Sequence, residues 1–292
     1  MSTTNLVHNQ RAPQKDHRAP RKARRHRRWS SPATILSLIV LAIAALWAIV
    51  PGIFAPHDPY NGVDVALLAP NGEYIFGTDA VGRDLFSRVV YGARQSLLGA
   101  VIAVAVGLVL GTLIGLIAGT QRGWVDTVLM RLVDVLLAIP GILLSLSIII
   151  VTGFGSLQAA FAVGMTSVAT FARLARSQVI QIAGADFVEA AYGSGATQAQ
   201  VLFRHVLPNS LTPVLALAAL QFGTAILQLS ILGFLGYGAP PPTPEWGLLI
   251  AEGRDFMATA WWLILLPGLA IVATVMSANH LSQVIQQEGD VK

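Results

Sequence analysis

Six apolar runs, each long enough to cross a bilayer, constrain this chain more than any other feature. A helix needs about 20 apolar residues to span the ~30 Å hydrocarbon layer. Nothing there can pair a backbone N–H or C=O except the protein itself, so the runs predict helices, not open strands. They lie at about 33–54, 97–119, 128–152, 157–174, 211–235 and 259–281. Only 12% of the 292 residues are charged, against about 25% in soluble domains. The expected fold class is an all-α membrane protein with six transmembrane helices. The chain has no cysteine, which excludes a disulfide framework, a cysteine nucleophile and a cysteine metal site.

Nine of the 19 basic residues fall in the first 28 positions: Arg11, Lys15, Arg18, Arg21, Lys22, Arg24, Arg25, Arg27 and Arg28. Such a cluster attracts nucleic-acid phosphate or marks the cytoplasmic flank of a span. The first apolar run begins within a few residues of Trp29, which selects the flank, and no nucleic-acid partner is expected. The run is too long for a cleaved signal peptide. Six spans then return the C-terminus to the cytoplasm. Arg122, Arg173, Arg176 and Arg204 follow the same positive-inside bias. The division expected is a basic cytoplasmic tail over 1–30, the first helix and an extracytoplasmic segment over 31–96, a five-helix core over 97–285, and a tail over 286–292.

Gly107, Gly111, Gly115 and Gly119 recur every fourth residue, lining one face of the second span with hydrogen. That spacing permits close helix approach in lipid, expected here within the subunit. Pro140 and Pro267 should bend or open the third and sixth spans.

The polar stretch 186–209 joins spans four and five. Phe187, Ala190, Ala191, Val201 and Leu202 fit short amphipathic helices. Gly193 and Gly195 interrupt them, and Pro208-Asn209 predicts the boundary before the fifth span. Periodicity alone leaves two readings open: an ordinary surface helix, or a helix that docks in a groove of a soluble partner.

Charges elsewhere are few. Arg131 and Asp134 lie one turn apart in the third span. Intramembrane charges mark function by default, but a local i,i+3 pair accounts for these. Outside, Asp79, Arg83, Asp84 and Arg88 form a charged segment, read as a solvated, self-paired face or as a surface for docking or gating. The prolines from Pro240 to Pro244 make a stiff loop. Trp246, Trp261 and Trp262 are expected as interfacial anchors.

Glu189-Ala190-Ala191, then Gly195, then Leu207-Pro208, resembles the "EAA" loop of permease subunits of binding-protein-dependent ABC importers. The wider pattern, Phe-Val-Glu-Ala-Ala through Phe-Arg-His-Val-Leu-Pro-Asn, is similar to the dipeptide and oligopeptide branch; His205 replaces an aliphatic residue of the general pattern, as is usual in that branch. The segments 76–97, 130–140, 241–247 and 261–271 resemble further motifs of the "C-type" permease in order. The C-terminal segment 280–292 matches poorly.

That resemblance implies the type I ABC importer permease fold in a bacterial inner membrane. It implies a second homologous permease subunit, two cytoplasmic ABC ATPases and an extracytoplasmic substrate-binding protein as partners. The loop would be a coupling helix seated in an ATPase cleft, through Glu189, Ala190, Ala191, Gly195, Arg204, His205, Leu207 and Pro208. Asp79, Arg83, Asp84 and Trp246 are the candidates for outer docking or gating. The chain lacks the Gly-x-x-x-x-Gly-Lys-Ser/Thr phosphate loop, so ATP and magnesium belong to the partner ATPases. No catalytic residue, metal or cofactor is expected in this chain. The substrate class implied is di- or oligopeptide, with a nickel chelate as the alternative.

Two other classes place different demands on the sequence. A self-sufficient secondary transporter predicts internal repeats and midplane ion ligands, and no repeat is evident. An intramembrane hydrolase needs a nucleophile within reach of a base; Ser277 with His280 at i,i+3, and Ser145 and Ser147, are candidates, but such polar residues more often hydrogen-bond between helices.

Overall fold

The computed structural model describes residues 31–289 apart from Val63 and Arg122, and no side chain beyond residue 286. The basic head, Arg122 and the last three residues lie outside the described residues. The helices are α1 (Pro32–Ile49), α2 (Pro51–Phe54), α3 (Leu85–Gln121), α4 (Gly123–Ala138), α5 (Gly141–Thr152) and α6 (Ser156–Ala183). They continue with α7 (Asp186–Gly193), α8 (Gln198–Val201), a π-helical turn (Leu202–Val206), α9 (Leu207–Phe234), α10 (Trp246–Gly253) and α11 (Trp262–Gly289). No strand occurs among the described residues; Thr78 and Asp84 form one isolated bridge.

Local chemistry sets several of these boundaries. Ser31 caps α1 by accepting the Thr34 N–H at 3.2 Å, and Pro32 occupies the first turn, where its missing N–H costs nothing. Pro51 forces the break after Val50. Asp84 caps α3, accepting from the Ser87 N–H at 3.0 Å and the Ser87 hydroxyl at 2.6 Å. The second span therefore begins at Leu85, not Leu97 as expected, and its outer turns lie above the apolar stretch.

Five helices are long and apolar enough to cross a membrane, and six spans result if the bent pair α4–α5 is one. Packing decides the count. A Cβ on Gly107 would meet Ser167, on Gly111 Phe171, on Gly115 Ala172 and Ala175, and on Gly119 Val179. Both numbers rise together, so α3 and α6 run parallel. Chain joining two parallel helices must travel back the full length, so α4–α5 is a complete crossing. The glycine stripe thus serves packing inside the subunit, as expected.

The two halves of that crossing meet at 98°. Pro140 supplies the reason: it lacks the N–H of a continuing helix and disfavours the helical region for Ile139. The bend expected at Pro140 is present. Pro267 lies inside the continuous α11. Pro213, inside α9, was not singled out from the sequence.

The start of α1 and the end of α11 lie together, since Thr34 Oγ1 sits 3.1 Å from His280 Nε2. The loop 184–206 is on that same side, because α9 leaves it and α11 returns antiparallel to α9. The main core gathers α3, α6, α9, α10 and α11 around Leu85, Val163, Ile226, Trp246 and Leu263.

Candidate functional site: the 184–206 loop and the outer cap

The loop is a helix, a turn and a second helix. In α7, Asp186 and Glu189 occupy the first turn, where carboxylates favour the positive end of the helix dipole. Val188 points inward and joins Val179, Val201 and Val206 in a small apolar core of its own. The next residues around the helix, Phe187, Glu189 and Ala190, face solvent, while Ala191 is half-buried against that core. The Glu189 side chain makes no hydrogen bond or ion pair among the described residues, while its N–H donates to Ala185 O at 3.3 Å.

The turn follows from one glycine. Ala196 N–H donates to Ala191 O at 3.1 Å and Gly195 N–H to Tyr192 O at 3.0 Å, the paired bonds of a Schellman motif. Gly195 has φ +88°, a value a side chain resists. Gly193 stays helical, so Gly195 alone makes the break; the expected interruption at both glycines is corrected. Thr197 then opens α8 with a capping box, Thr197 N–H donating to Gln200 Oε1 at 2.9 Å.

Pro208 does not end the second helix. Helix runs on from Gln198 to Phe234, so the expected boundary is corrected. The π turn explains how. Leu207 N–H reaches back five residues to Leu202 O, a single widened turn of the kind that sits inside α-helices without ending them. Asn209 Nδ2 donates to His205 O at 2.6 Å and Ser210 Oγ to Val206 O at 2.7 Å. Pro208 is exposed, and Leu207 half-buried.

Between α7 and the π turn lies an open groove of about 820 Å³. Ala190, Ala191 and Phe187 line one wall, and Phe203, Arg204 and His205 the other. The His205 and Phe187 rings lie 6.4 Å apart. Arg204 is exposed, with no ion-pair partner among the described residues. Ala190, Ala191, Arg204 and His205 therefore line one groove, in which Arg204 is an unpaired cation; Glu189 is exposed on α7 outside the lining. Gly195 shapes the groove from the turn.

The outer segment differs from expectation. Asp79, Arg83, Asp84 and Arg88 are all buried, so the reading as a solvated face, or as a surface that docks by these side chains, is corrected. Arg88, wholly buried, donates from Nη1 to Asp79 Oδ2 at 2.6 Å and to Glu252 Oε2 at 2.7 Å. Arg83 Nε donates to the same Asp79 oxygen at 2.7 Å. Burial alone would raise the Asp79 pKa, but the Arg83 N–H, the Arg88 charge and the Val81 N–H together hold it below the ordinary value. The acid that closes this network, Glu252, stands on α10 and was not singled out. A cavity of about 220 Å³ adjoins it.

Trp246 is fully buried, its indole donating to Val89 O at 2.9 Å, and Trp262 is buried with its indole 3.3 Å from Thr78 O. Both were expected as interfacial anchors; each instead finds a backbone carbonyl for its N–H in the interior. Trp261 is exposed. Glu245 was also missed. It caps α10 through Gly247 N–H at 2.9 Å and Leu248 N–H at 3.1 Å, with the Ser96 hydroxyl at 3.4 Å. Burial pushes its carboxyl up to about 7, against the downward pull of those three donors.

The local pair expected of Arg131 and Asp134 is also replaced. Asp134 accepts from Arg173 Nη2 on α6 at 2.6 Å, and Asp126 from Arg176 Nη2 at 2.6 Å. The serine–histidine arrangement of a hydrolase is not assembled: His280 meets Thr34, and Ser145 and Ser147 donate back to Gly141 O and Leu143 O.

Comparisons with known proteins agree with this architecture. The chain is 40% identical over 258 residues to "Dipeptide transport system permease protein DppC" of Alkalihalophilus pseudofirmus, covering 88% of this chain and 83% of that one. It is 41% identical over 271 residues to "Glutathione transport system permease protein GsiD" of Shigella flexneri, covering 92% and 88%. Among solved structures, one titled "Inward facing conformations of the MetNI methionine ABC transporter" superposes with a TM-score of 0.57 at 18% identity, over 71% of this chain and 95% of that one. "Crystal structure of an amino acid ABC transporter with histidines" gives 0.55 at 16%, over 69% and 94%; these two show a shared fold. The profile described as "Binding-protein-dependent transport system inner membrane component" matches residues 111–287, and with those relatives it shows that the chain belongs to that family.

Proposed function

We propose that this chain is the non-catalytic half of the translocation path in an ATP-driven importer of small peptides. The substrate class rests on the relatives, whose names specify dipeptide and glutathione, both amide-linked. A sister permease supplies the other half, and a substrate-binding protein delivers solute from outside. Two ATPases hold the ATP and magnesium beneath the 184–206 loop, which puts both chain termini in the cytoplasm.

The observation that carries this reading is the groove at that loop. A docking surface needs an apolar floor and charges free to change partners. Arg204 lines that groove and Glu189 stands exposed next to Ala190 on α7, and neither side chain has a partner among the described residues. In the proposed cycle, closure of the ATPases grips α7 differently in the two states; only that difference in contact free energy moves the equilibrium between inward- and outward-open. Asp79, Arg83, Asp84 and Trp246 serve the outer side by bracing it, since their side chains are covered.

The test is Glu189→Lys in the reconstituted complex. The expected result is a subunit that still inserts and assembles, with substrate-stimulated ATP hydrolysis abolished. Normal stimulation by that variant removes Glu189 from the coupling role.

A further inference from the structure

The surfaces left uncovered by the bundle are not alike. On α3 they are apolar through the middle of the span, where Val109, Leu110 and Leu113 are exposed, with the polar Arg94, Thr120 and Gln121 exposed only toward its ends. On α6 they turn polar. Thr166, Thr170, Arg173, Ser177 and Gln181 follow one another at four, three, four and four residues, one helical face, and none is buried.

Depth is fixed by the parallel packing of α3 and α6. Gly111 meets Phe171 and Ala172, and Gly115 meets Ala172 and Ala175. Arg173 therefore stands level with Gly111–Gly115, inside the apolar stretch of α3. At that depth its side chain is 59% exposed, and that of Asp134, its partner on α4, is 54% exposed. An ion pair this open is costly against hydrocarbon. The face must meet water or another protein surface.

Arg131 lies one turn from Asp134 on the same exposed side of α4. Its side chain has no hydrogen bond or ion pair among the described residues, because Asp134 has turned to Arg173. The three side chains sum to one uncompensated positive charge. A guanidinium with free donors matches a carboxylate in a bidentate pair. Around it, Val128, Leu132 and Val135 are exposed, giving apolar wall beside the charge. A zwitterionic peptide with variable side chains needs both.

We propose that Arg131, Asp134 and Arg173 form a charged station on the wall of an aqueous path, where Arg131 receives the carboxylate of a peptide in transit. The station rests on the reading of this chain as a peptide importer subunit, and it adds where in the membrane the substrate is held and by what. Asp134 keeps Arg173 in place and leaves Arg131 the open position.

The chain's lack of cysteine makes the station testable without relying on a charge-removing variant to fold. Val135→Cys sits one turn from Arg131. In the assembled permease–ATPase complex in vesicles, without binding protein, a membrane-impermeant sulfonate-bearing thiol reagent is expected to modify it. Adding Arg131→Gln should slow that reaction about tenfold, the loss of one focused charge, and Arg131→Lys should restore most of it. Alanyl-alanine at millimolar concentration should protect the cysteine, and its C-terminal amide should not. A cysteine that never reacts places this face against lipid or the sister subunit and overturns the station. Equal protection by acid and amide, or no effect of Arg131→Gln, overturns carboxylate recognition. ATP-driven peptide uptake by the wild-type complex is measured separately; its absence sinks the importer reading, whereas its presence with an unreactive cysteine sinks only the station.

Discussion

At the scale of single residues, the chemistry is decided by which buried group finds which partner. Glu245 is the sharpest case. Its folded pKa, about 7, exceeds the ordinary 4.5, so the folded state binds a proton that the unfolded state has released. The stability this confers is complete below about pH 4.5 and is lost as pH rises through 7. The full effect is of order 3 kcal/mol. Thermal unfolding of the purified complex should show a midpoint that falls between pH 5 and pH 7.5, and Glu245→Gln should flatten that fall. A midpoint equally pH-dependent in both proteins removes Glu245 as the source. None of this could be read from Pro-Glu-Trp-Gly alone. The motif signals a helix cap, but only the approach of α9, where a Cβ on Gly233 would collide with the Glu245 carboxylate, shows that the acid is sealed. Gly195 was legible for the opposite reason: a left-handed turn is a local demand, and only glycine meets it cheaply.

At the scale of elements, the apolar runs revealed the spans because hydrocarbon thickness imposes a length that sequence must satisfy. Their pairing was not legible. Asp134 prefers Arg173, 39 positions away, over Arg131 on its own helix, and no local pattern announces that choice. Pro208 misled in the same way: proline usually closes a helix, but here the helix widens to a π turn just before it and runs on to Phe234. The glycine stripe, by contrast, both announced close packing and delivered it. A Cβ on Gly111 would lie 2.5 Å from Phe171 Cβ and 2.6 Å from Val168 O. Gly111→Leu should therefore drive α3 from α6, with overpacking of ~1–3 kcal/mol or more and poor recovery of folded complex. Gly268→Leu, where an added Cβ meets nothing within 4 Å, is the control and should be recovered normally. Equal recovery of the two proteins would show that the stripe is not what holds α3 to α6.

At the scale of the whole molecule, the outer cap is tied to the bundle by charge. Arg88 joins α3 to the 79–84 turn and, 164 positions on, to Glu252 of α10. Four charged side chains within ten residues read as solvated; their burial depends on α10 folding over them, which the sequence does not display. Removing one member of a buried network leaves its partners charged and dry, at ~3–5 kcal/mol. Arg88→Met should lower the unfolding midpoint of the complex sharply. Adding Glu252→Gln to it should restore part of the loss, because Asp79 then keeps Arg83 at 2.7 Å and no carboxylate is left without a cation. A double variant no better than Arg88→Met would mean the cap is held by its packing instead.

One helix runs from Gln198 to Phe234. Thirty-seven residues make a rod of ~55 Å, rooted in the groove beside α7 and ending where Gly233 touches Glu245. Tilting its root by ~10° would sweep its tip ~10 Å, far enough to part or seal an opening. On the coupling role proposed for the loop, handle and shutter would belong to one lever arm, with no relay of side chains through the membrane between them.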